Sequence, residues 1–282
     1  MLSSRTTNMP INSQIFTAPD GLPSIEGNLD NSLNGLPQDI RRIIPTPEAV
    51  FVEPLQYNDA NTIILLHMDG TDASTTFTDV ALGASHTWSA NGNAQIDTAN
   101  KQFGTGSTLF DGSGDYVQSN FNMSSIASGG SDWTIDFWVY IEEYNSYPSL
   151  FGEKQTNQNT IEGWCPAGTP AMYIQQGGTY QANFFGAENS VTLQTWHHLA
   201  FEHQGDVYRI YTDGVRGGAE KVSTISITTA MNEQFAIGRF KNNNSSQFFL
   251  NGALDEFRVS NVARWGRNFT PQTIPYGTAP SE

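Results

Sequence analysis

From residue 61 onward the chain is a succession of short strand-like segments separated by turn residues, without a helical period. The clearest segment is WTIDFWVYIEE at 133–143. Its apolar Trp133, Ile135 and Phe137 fall on one face, and the residues between them fall on the other. Alternation of this kind predicts a β-strand with one buried face. Because such runs recur at roughly 8–12-residue spacing, the sequence predicts an antiparallel sandwich or barrel.

Turns that contain glycine separate these strand-like segments. The pairs Asp69-Gly70, Gly177-Gly178 and Asp213-Gly214 each follow a strand-like segment, and Gly177-Gly178 forms the tip of a predicted hairpin over 172–186. Glycine adopts positive φ without steric cost, and Asp bonds to the backbone of tight turns. The glycines therefore mark the strand connections.

Residues 1–60 have a different character. Seven of the 13 prolines lie there, yet apolar residues such as Ile15, Phe16 and Leu22 recur throughout. Proline fixes φ and removes a backbone donor, which blocks long helices and inner strands, whereas a solvated linker would carry fewer apolar residues. We expect an irregular, extended anchoring arm that lies on its own sandwich or on neighbouring subunits. The predicted divisions are this arm, a sandwich over 61–269 and an irregular tail over 270–282.

Charge and cysteine content limit the partners of this chain. The formal net charge is −15 and the isoelectric point is about 4.5, which disfavours nucleic acid and anionic membrane surfaces. Cys165 is the only cysteine, so no intrachain disulfide can form, and we expect an inert thiol. No apolar run is long enough for a membrane span or a signal peptide. We therefore expect assembly in a reducing cytoplasm.

Seven segments follow one another in a recognisable order: LLHMDG (65–70), FGTGSTLFDGSGDYV (103–117), WTIDFWVYI (133–141), TWHHLAFE (195–202), YRIYTDGV (208–215), FAIGRF (235–240) and LNGALDEFRVSNVAR (250–264). Together they resemble the laminin-G-like, concanavalin A-like lectin/glucanase family, of the kind found in phage structural proteins. The resemblance covers about residues 61–268. It implies an antiparallel jelly-roll β-sandwich.

Catalysis is not expected. Glycoside hydrolases of this architecture use a Glu-x-Asp-x-x-Glu strand, and that triplet is absent from the sequence. The adjacent carboxylates Glu142-Glu143 and Asp255-Glu256 are predicted to point to opposite faces. The sequence also lacks a Gly-x-Ser-x-Gly elbow and zinc-ligand spacing, although a dispersed Ser-His-Asp arrangement stays open. We therefore predict that the protein is not an enzyme.

Calcium is the cofactor that the resemblance implies. Similar sandwiches often hold a calcium ion between the first and last core strands, and the matching positions here are Asp69 and Asp255, with carbonyls near Gly112. In the alternative interpretation, Asp69 caps the turn at Gly70 and Asp255 accepts hydrogen bonds from backbone amides.

A sugar site is the other candidate. Sugar binders stack pyranose faces on exposed aromatic rings and bond hydroxyls with amide side chains. Tyr144, Tyr147 and Trp164 are loop aromatics suited to this role, with Asn145 beside them. The alternative for each is packing or subunit contact.

Two functions follow. The first is a non-enzymatic bacteriophage virion structural protein, a capsid decoration, knob or tail-fibre component on the particle surface. Its arm would hold it to other virion proteins and to further copies of itself. The second is a carbohydrate-binding adhesin that attaches to host polysaccharide.

Overall fold

The computed structural model describes residues 16–17, 23–24, 57–144, 147–154, 159–177, 179–223, 234–241 and 247–278. The predicted arm thus falls almost wholly outside the described residues, and its course and contacts stay predictions. The chain divides into two compact units, Met1–Val52 and Glu53–Glu282. Within the first unit, β1 (Phe16–Thr17) pairs antiparallel with β2 (Pro23–Ser24).

The second unit is almost entirely β-structure. Its strands are β3 (Tyr57–Asn58), β4 (Thr62–Leu66), β5 (Trp88–Asn91), β6 (Gln95–Asp97), β7 (Ser107–Asp111), β8 (Tyr116–Ser119), β9 (Trp133–Ile141), β10 (Ser149–Lys154), β11 (Thr160–Trp164), β12 (Ala171–Gln176), β13 (Thr179–Phe185), β14 (Trp196–Gln204), β15 (Val207–Thr212), β16 (Val215–Val222), β17 (Phe235–Ile237), β18 (Arg239–Lys241), β19 (Gln247–Phe249), β20 (Asn251–Ser260) and β21 (Gly277–Thr278). Helical structure in the described residues comprises α1 (Ser124–Ala127) and 3-10 turns at Ser128–Gly130 and Pro166–Gly168. Within this part of the chain, no helix has the length and apolarity needed to cross a membrane.

Two antiparallel sheets form the sandwich. One has the order β16-β15-β14-β9-β20-β7-β6, with β4 also paired to β20, and the other has the order β13-β12-β11-β10-β17-β8-β5. Strand β20 is central because β9 flanks it on one side and β7, then β4, flank it on the other. The predicted all-β, concanavalin A-like jelly roll is therefore confirmed.

The core between the sheets follows the predicted alternation. Trp133, Ile135 and Phe137 of β9 are at most 1% exposed and face inward. The Phe137 ring stacks on Phe257, with the ring centroids 5.3 Å apart. Each buried aromatic side chain removes enough apolar surface from water to contribute roughly 2–3 kcal/mol. Periodicity read from the sequence thus gave the correct inward face.

The tight turns also lie where the glycines predicted them. Thr212 pairs with Val215 across the β15–β16 hairpin, and the two connecting residues, Asp213 and Gly214, have φ values of 50° and 75°. Both residues of a type I′ turn need positive φ, which favours the Asp-Gly sequence found here.

The outer face of the first sheet is covered by the chain that follows β20. Trp265 and Phe269 stack with ring centroids 3.6 Å apart and pack on Tyr211. Farther along, Tyr276 is 2% exposed, and β21 pairs in parallel with β3. Residues 270–278, in the predicted tail, therefore include a buried aromatic side chain and a short strand.

Candidate functional site

The loop before β10 and the end of β11 bring two aromatic side chains together. Tyr147 and Trp164 stack with ring centroids 5.2 Å apart and ring planes inclined by 15°. Phe248 of β19 meets the Tyr147 ring edge-on at 5.3 Å. Tyr147 is 42% exposed, so its ring is open to solvent at the edge of the sandwich. We call Tyr147, Trp164 and Phe248 the aromatic platform.

The platform also contains an unpaired hydrogen-bond donor. The Trp164 indole Nε1 is buried and has no hydrogen-bond partner within the described part of the chain. An indole N–H is a donor only, and leaving it unpaired in a buried position costs roughly 1–3 kcal/mol. The most exposed ring of the platform is that of Tyr147, whose apolar face suits the apolar face of a sugar ring.

The other predicted sugar residues have different positions. Tyr144 packs against the core, and its hydroxyl donates a hydrogen bond to the carbonyl of Val191. Its hydroxyl is thus engaged in holding a loop. Asn145 lies outside the described residues. The structure therefore unites Tyr147 and Trp164 and adds Phe248, which the sequence did not suggest because it follows them by more than 80 positions.

The two predicted calcium ligands hold the same loop. The Asp69 carboxylate accepts hydrogen bonds from the N–H and the hydroxyl of Thr105, the latter at 2.8 Å. The Asp255 Oδ2 accepts from the N–H groups of Gln102 and Phe103 at 3.0 and 2.9 Å. Asp255 therefore makes the backbone bonds of the structural alternative, whereas Asp69 bonds Thr105 and does not cap the turn at Gly70. Both carboxylates converge on residues 102–105.

The Asp255 carboxylate has one unpaired oxygen. Its second oxygen, Oδ1, is buried and lacks a hydrogen-bond partner among the described residues. Burial, reinforced by the neighbouring Glu256 carboxylate, raises the pKa of Asp255 to about 8 even though the backbone N–H groups of Phe103, Gln102 and Glu256 oppose the shift. A divalent cation would supply both the missing partner and the missing countercharge.

The donor set around this position is small. The described residues contain no group of three or more His, Cys, Asp or Glu side chains able to hold a metal ion. Calcium takes six to eight oxygens, many of which can be carbonyls and waters. Asp69 and Asp255 therefore fit calcium only as the two carboxylates of a shell completed by backbone oxygens and water.

A triad-like chain of side chains lies at the start of β14. The Thr192 hydroxyl is 2.9 Å from His197 Nε2, and His197 Nδ1 is 2.8 Å from Asp213 Oδ2. However, the N–H of Thr192 also donates to Nε2 at 3.0 Å. Since a neutral imidazole nitrogen has one in-plane lone pair, the amide competes with the hydroxyl that a general base would deprotonate. The arrangement therefore ties the 190–195 loop to the Asp213 turn.

The remaining candidate chemical groups are engaged elsewhere. Glu142 accepts from Gln194, and Glu143 accepts from Asn251. Glu256 bonds His67 at 2.7 Å and the N–H of Tyr276. Cys165 is fully buried, and burial raises the pKa of its thiol to about 12. A buried thiol with a raised pKa disfavours the reactive thiolate, and the inertness of Cys165 stays a prediction.

The fold is that of a lectin-like β-sandwich. The family model of laminin-G-like domains, described as the concanavalin A-like lectin/glucanases superfamily, matches residues 111–267, more than half of the chain. This protein belongs to that family. Among curated proteins, none matches it by sequence.

Similar solved structures are binding domains. The binding domain of botulinum neurotoxin serotype D has a TM-score of 0.54 at 14% identity, covering 73% of this chain and 49% of that one. The binding domain of Paraclostridial Mosquitocidal Protein 1 has a TM-score of 0.56 at 16% identity, covering 72% and 49%. This chain thus spans about half the length of these two structures. At this identity the likeness establishes the shared fold.

A third similar structure has nearly the same extent as the sandwich. It is domain 4 of AbnA, a GH43 extracellular arabinanase from Geobacillus stearothermophilus, solved with arabinotriose. Its TM-score is 0.53 at 16% identity, covering 72% of this chain and 93% of that one. At 16% identity this likeness, too, establishes the fold alone.

Proposed function

We propose that this protein is a non-enzymatic binding protein whose sandwich takes carbohydrate at the aromatic platform. The observation that carries the proposal is the stacked pair of Trp164 and Tyr147, of which Tyr147 is 42% exposed. A sugar ring would lie against the exposed ring face of Tyr147.

The comparisons support this proposal at the level of fold. The arabinanase domain binds a sugar on a similar sandwich, and the toxin domains are named as binding domains. The acidic surface, with a formal net charge of −15, favours uncharged or cationic ligands.

The test is a glycan-array screen followed by calorimetry on the best neutral glycan. We expect Tyr147→Ala to weaken binding at least about tenfold, equivalent to about 1.4 kcal/mol. Leu82→Ala is the control because Leu82 is also an exposed apolar side chain, at 62%. It should leave binding unchanged. Absence of binding to every glycan, or equal affinity of Tyr147→Ala and the wild type, would refute the proposal.

Calcium belongs to the proposal as a structural ion. Asp69 and Asp255 would hold it against the 102–105 loop. The buried, unpartnered Oδ1 of Asp255 and the raised pKa of its carboxyl support the assignment. A bound ion would neutralise Asp255 without protonation and stiffen the loop.

The setting proposed for this binding protein is the surface of a bacteriophage particle. There it would serve as a capsid decoration, knob or tail-fibre component, with host polysaccharide as the ligand. The support is the proline-rich, apolar composition of residues 1–60, which suits an arm docked on other virion proteins or on further copies of the chain. Cross-linking of purified particles should join residues 1–60 to a virion protein. Absence of the protein from particles would refute this setting.

A further inference from the structure

The last residues of the predicted arm, 57–60, are held to the sandwich through β3. This strand, Tyr57–Asn58, pairs in parallel with β21, Gly277–Thr278. Because both strands of a parallel pair run the same way, the chain that enters β3 and the chain that leaves β21 depart from opposite ends of the ladder. Tension between these two segments therefore slides the strands past each other and loads their hydrogen bonds together.

The Asn58 side chain fixes β3 to a second segment. Its Nδ2 donates to the carbonyl of Val80 at 2.7 Å, and its Oδ1 accepts from the N–H of Leu82 at 3.3 Å. Asn58 is 8% exposed, so water competes little for these two bonds. Strand β3 is thus held by β21 and by the 80–82 segment.

The next residue, Asp59, forms a two-point ion pair with Arg264. Asp59 Oδ2 accepts from Nη1 at 3.0 Å, and Oδ1 accepts from Nη2 at 2.8 Å. The Arg264 side chain is fully buried, and its Nε donates to Ser260 Oγ of β20 at 2.7 Å. The backbone N–H of Arg264 donates to Thr134 Oγ1 of β9 at 3.0 Å. A planar guanidinium fixed at several points holds a carboxylate in one geometry, so this pair links Asp59 to two central strands.

Strand β4 begins three residues after Asp59 and is the element that the ion pair shields. It is antiparallel to β20, and its ladder begins where Thr62 is paired with Ser260. Tension that reached Thr62 would break the pairs of this ladder one after another, which needs less force than breaking them together. Because Ile64 and Leu66 belong to the core, loss of β4 would open the sandwich.

We propose that the β3–β21 ladder, Asn58 and the Asp59–Arg264 pair form a force-bearing clamp that keeps tension on the arm from reaching β4. The inference rests on the proposed function in one respect, namely that residues 1–60 anchor the sandwich while its ligand holds it elsewhere. Strands β3 and β21 lie outside the two sheets of the sandwich, so the jelly roll itself does not require them. Forced unfolding is governed by the unfolding rate, which the first contacts to break under load control.

The test is constant-force unfolding of the full chain in two pulling geometries. In the first geometry the force acts between the two chain ends and passes through the clamp. In the second it acts between cysteines introduced by Ser113→Cys and Asp206→Cys, at two exposed turn positions, and bypasses residues 57–61. Cys165 is fully buried, so it does not compete for attachment.

Asp59→Asn is the main variant because it keeps an acceptor of the same shape and removes the charge. In the first geometry we expect it to unfold at least about tenfold faster than the wild type, since a charge-assisted two-point pair becomes a neutral one. In the second geometry its rate should equal that of the wild type. Asp97→Asn is the matched control because Asp97 also accepts backbone N–H groups, at Ala99 and Asn100. It should change neither rate.

Two results would overturn the clamp. One is an unchanged rate for Asp59→Asn in the first geometry, and the other is an equal acceleration in both geometries, which marks a general loss of stability. Thermal unfolding shows whether each variant is folded, and Asn58→Ala, expected to act in the same direction, decides the test if Asp59→Asn is not. Glycan affinity is a separate readout. If the wild type binds no glycan while the two geometries differ as expected, the proposed ligand fails and the clamp stands.

Discussion

Arg258 and Asp136 form a two-point ion pair between β20 and β9, with Nε 2.9 Å from Oδ1 and Nη2 2.6 Å from Oδ2. Both side chains are fully buried. The Tyr276 ring lies 3.9 Å from the guanidinium, and its hydroxyl donates to Asp136 at 3.2 Å. The segment after β20 therefore closes a polar cluster on the outer face of the first sheet.

Removal of the Arg258 guanidinium should be strongly destabilising. In Arg258→Met the Asp136 carboxylate stays buried without its counter-ion, which costs roughly 3–5 kcal/mol. Urea unfolding at 25 °C measures the loss. Arg216→Ala is the matched control because Arg216 pairs with Glu220 in solvent, where both side chains are 38% exposed. The control should lose less than about 1 kcal/mol. Equal losses in the two variants would contradict this account of the pair.

Stability should fall as the pH rises from about 4.5 toward 8. Burial raises the pKa of Glu153 to about 8, despite a hydrogen bond from the N–H of Met123 that lowers it. Across this window the folded state keeps a proton that the unfolded state has released. The free energy of unfolding therefore falls by roughly 1.4 kcal/mol per pH unit for each such group.

Glu153→Gln tests this assignment. The glutamine carbonyl can still accept from Met123, and it has no proton to release. We expect a shallower pH dependence and higher stability than the wild type at pH 8, measured by denaturant titration at several pH values. Glu143→Gln, at an exposed position, should leave the slope unchanged. An unaltered slope in Glu153→Gln would show that Glu153 ionises normally in the folded state.

The β9 side chains show how much of the fold could be predicted from the sequence. Trp133, Ile135 and Phe137 alternate with period two, so the inward face of β9 could be read directly. Asp136 lies on the opposite face, and the same rule would place it in solvent. It is buried because residues 262–278 fold back over the sheet, a long-range contact that no local pattern encodes.

The candidate sites also combine features that the sequence indicates with contacts that only the folded sheet creates. Tyr147 and Trp164 were both predicted to be loop aromatics. Trp164 is instead the last residue of β11, and its stacking on Tyr147 depends on the pairing of β10 with β11. Phe248 joins them through the separate β18–β19 ribbon. Glu162, Tyr173 and Asn183 form one row across the sheet only because β11, β12 and β13 pair in one register. Strand register is set by the whole sheet, so single-strand patterns could not reveal this row.

The Thr192–His197–Asp213 chain should be structural rather than catalytic. Thr192→Ala removes one hydrogen bond to Nε2, and the competing N–H bond stays. We expect a loss of about 1 kcal/mol in stability. Hydrolysis of p-nitrophenyl acetate by the wild type should not exceed that of Thr192→Ala. An esterase rate that disappears in Thr192→Ala while folding is preserved would instead make Thr192 a nucleophile.

Calcium should raise the unfolding temperature of the wild type. An ion that binds only the folded state stabilises by about 2.7 kcal/mol at a hundredfold excess over its dissociation constant. Asp255→Asn removes the buried carboxylate and should abolish the calcium-dependent shift. Without calcium this variant should match or exceed wild-type stability above pH 5, since it carries no group whose pKa burial raises to about 8.

The control for calcium is Asp97→Asn. Asp97 also accepts hydrogen bonds from a nearby backbone, at Ala99 and Asn100, but lies outside the 102–105 loop. It should keep the full calcium response, measured by thermal melts with calcium and with the chelator EGTA. Equal shifts in Asp255→Asn and the wild type would place any bound calcium elsewhere. No shift at millimolar calcium would leave Asp69 and Asp255 as anchors of the loop alone, held by the amide bonds that they already make.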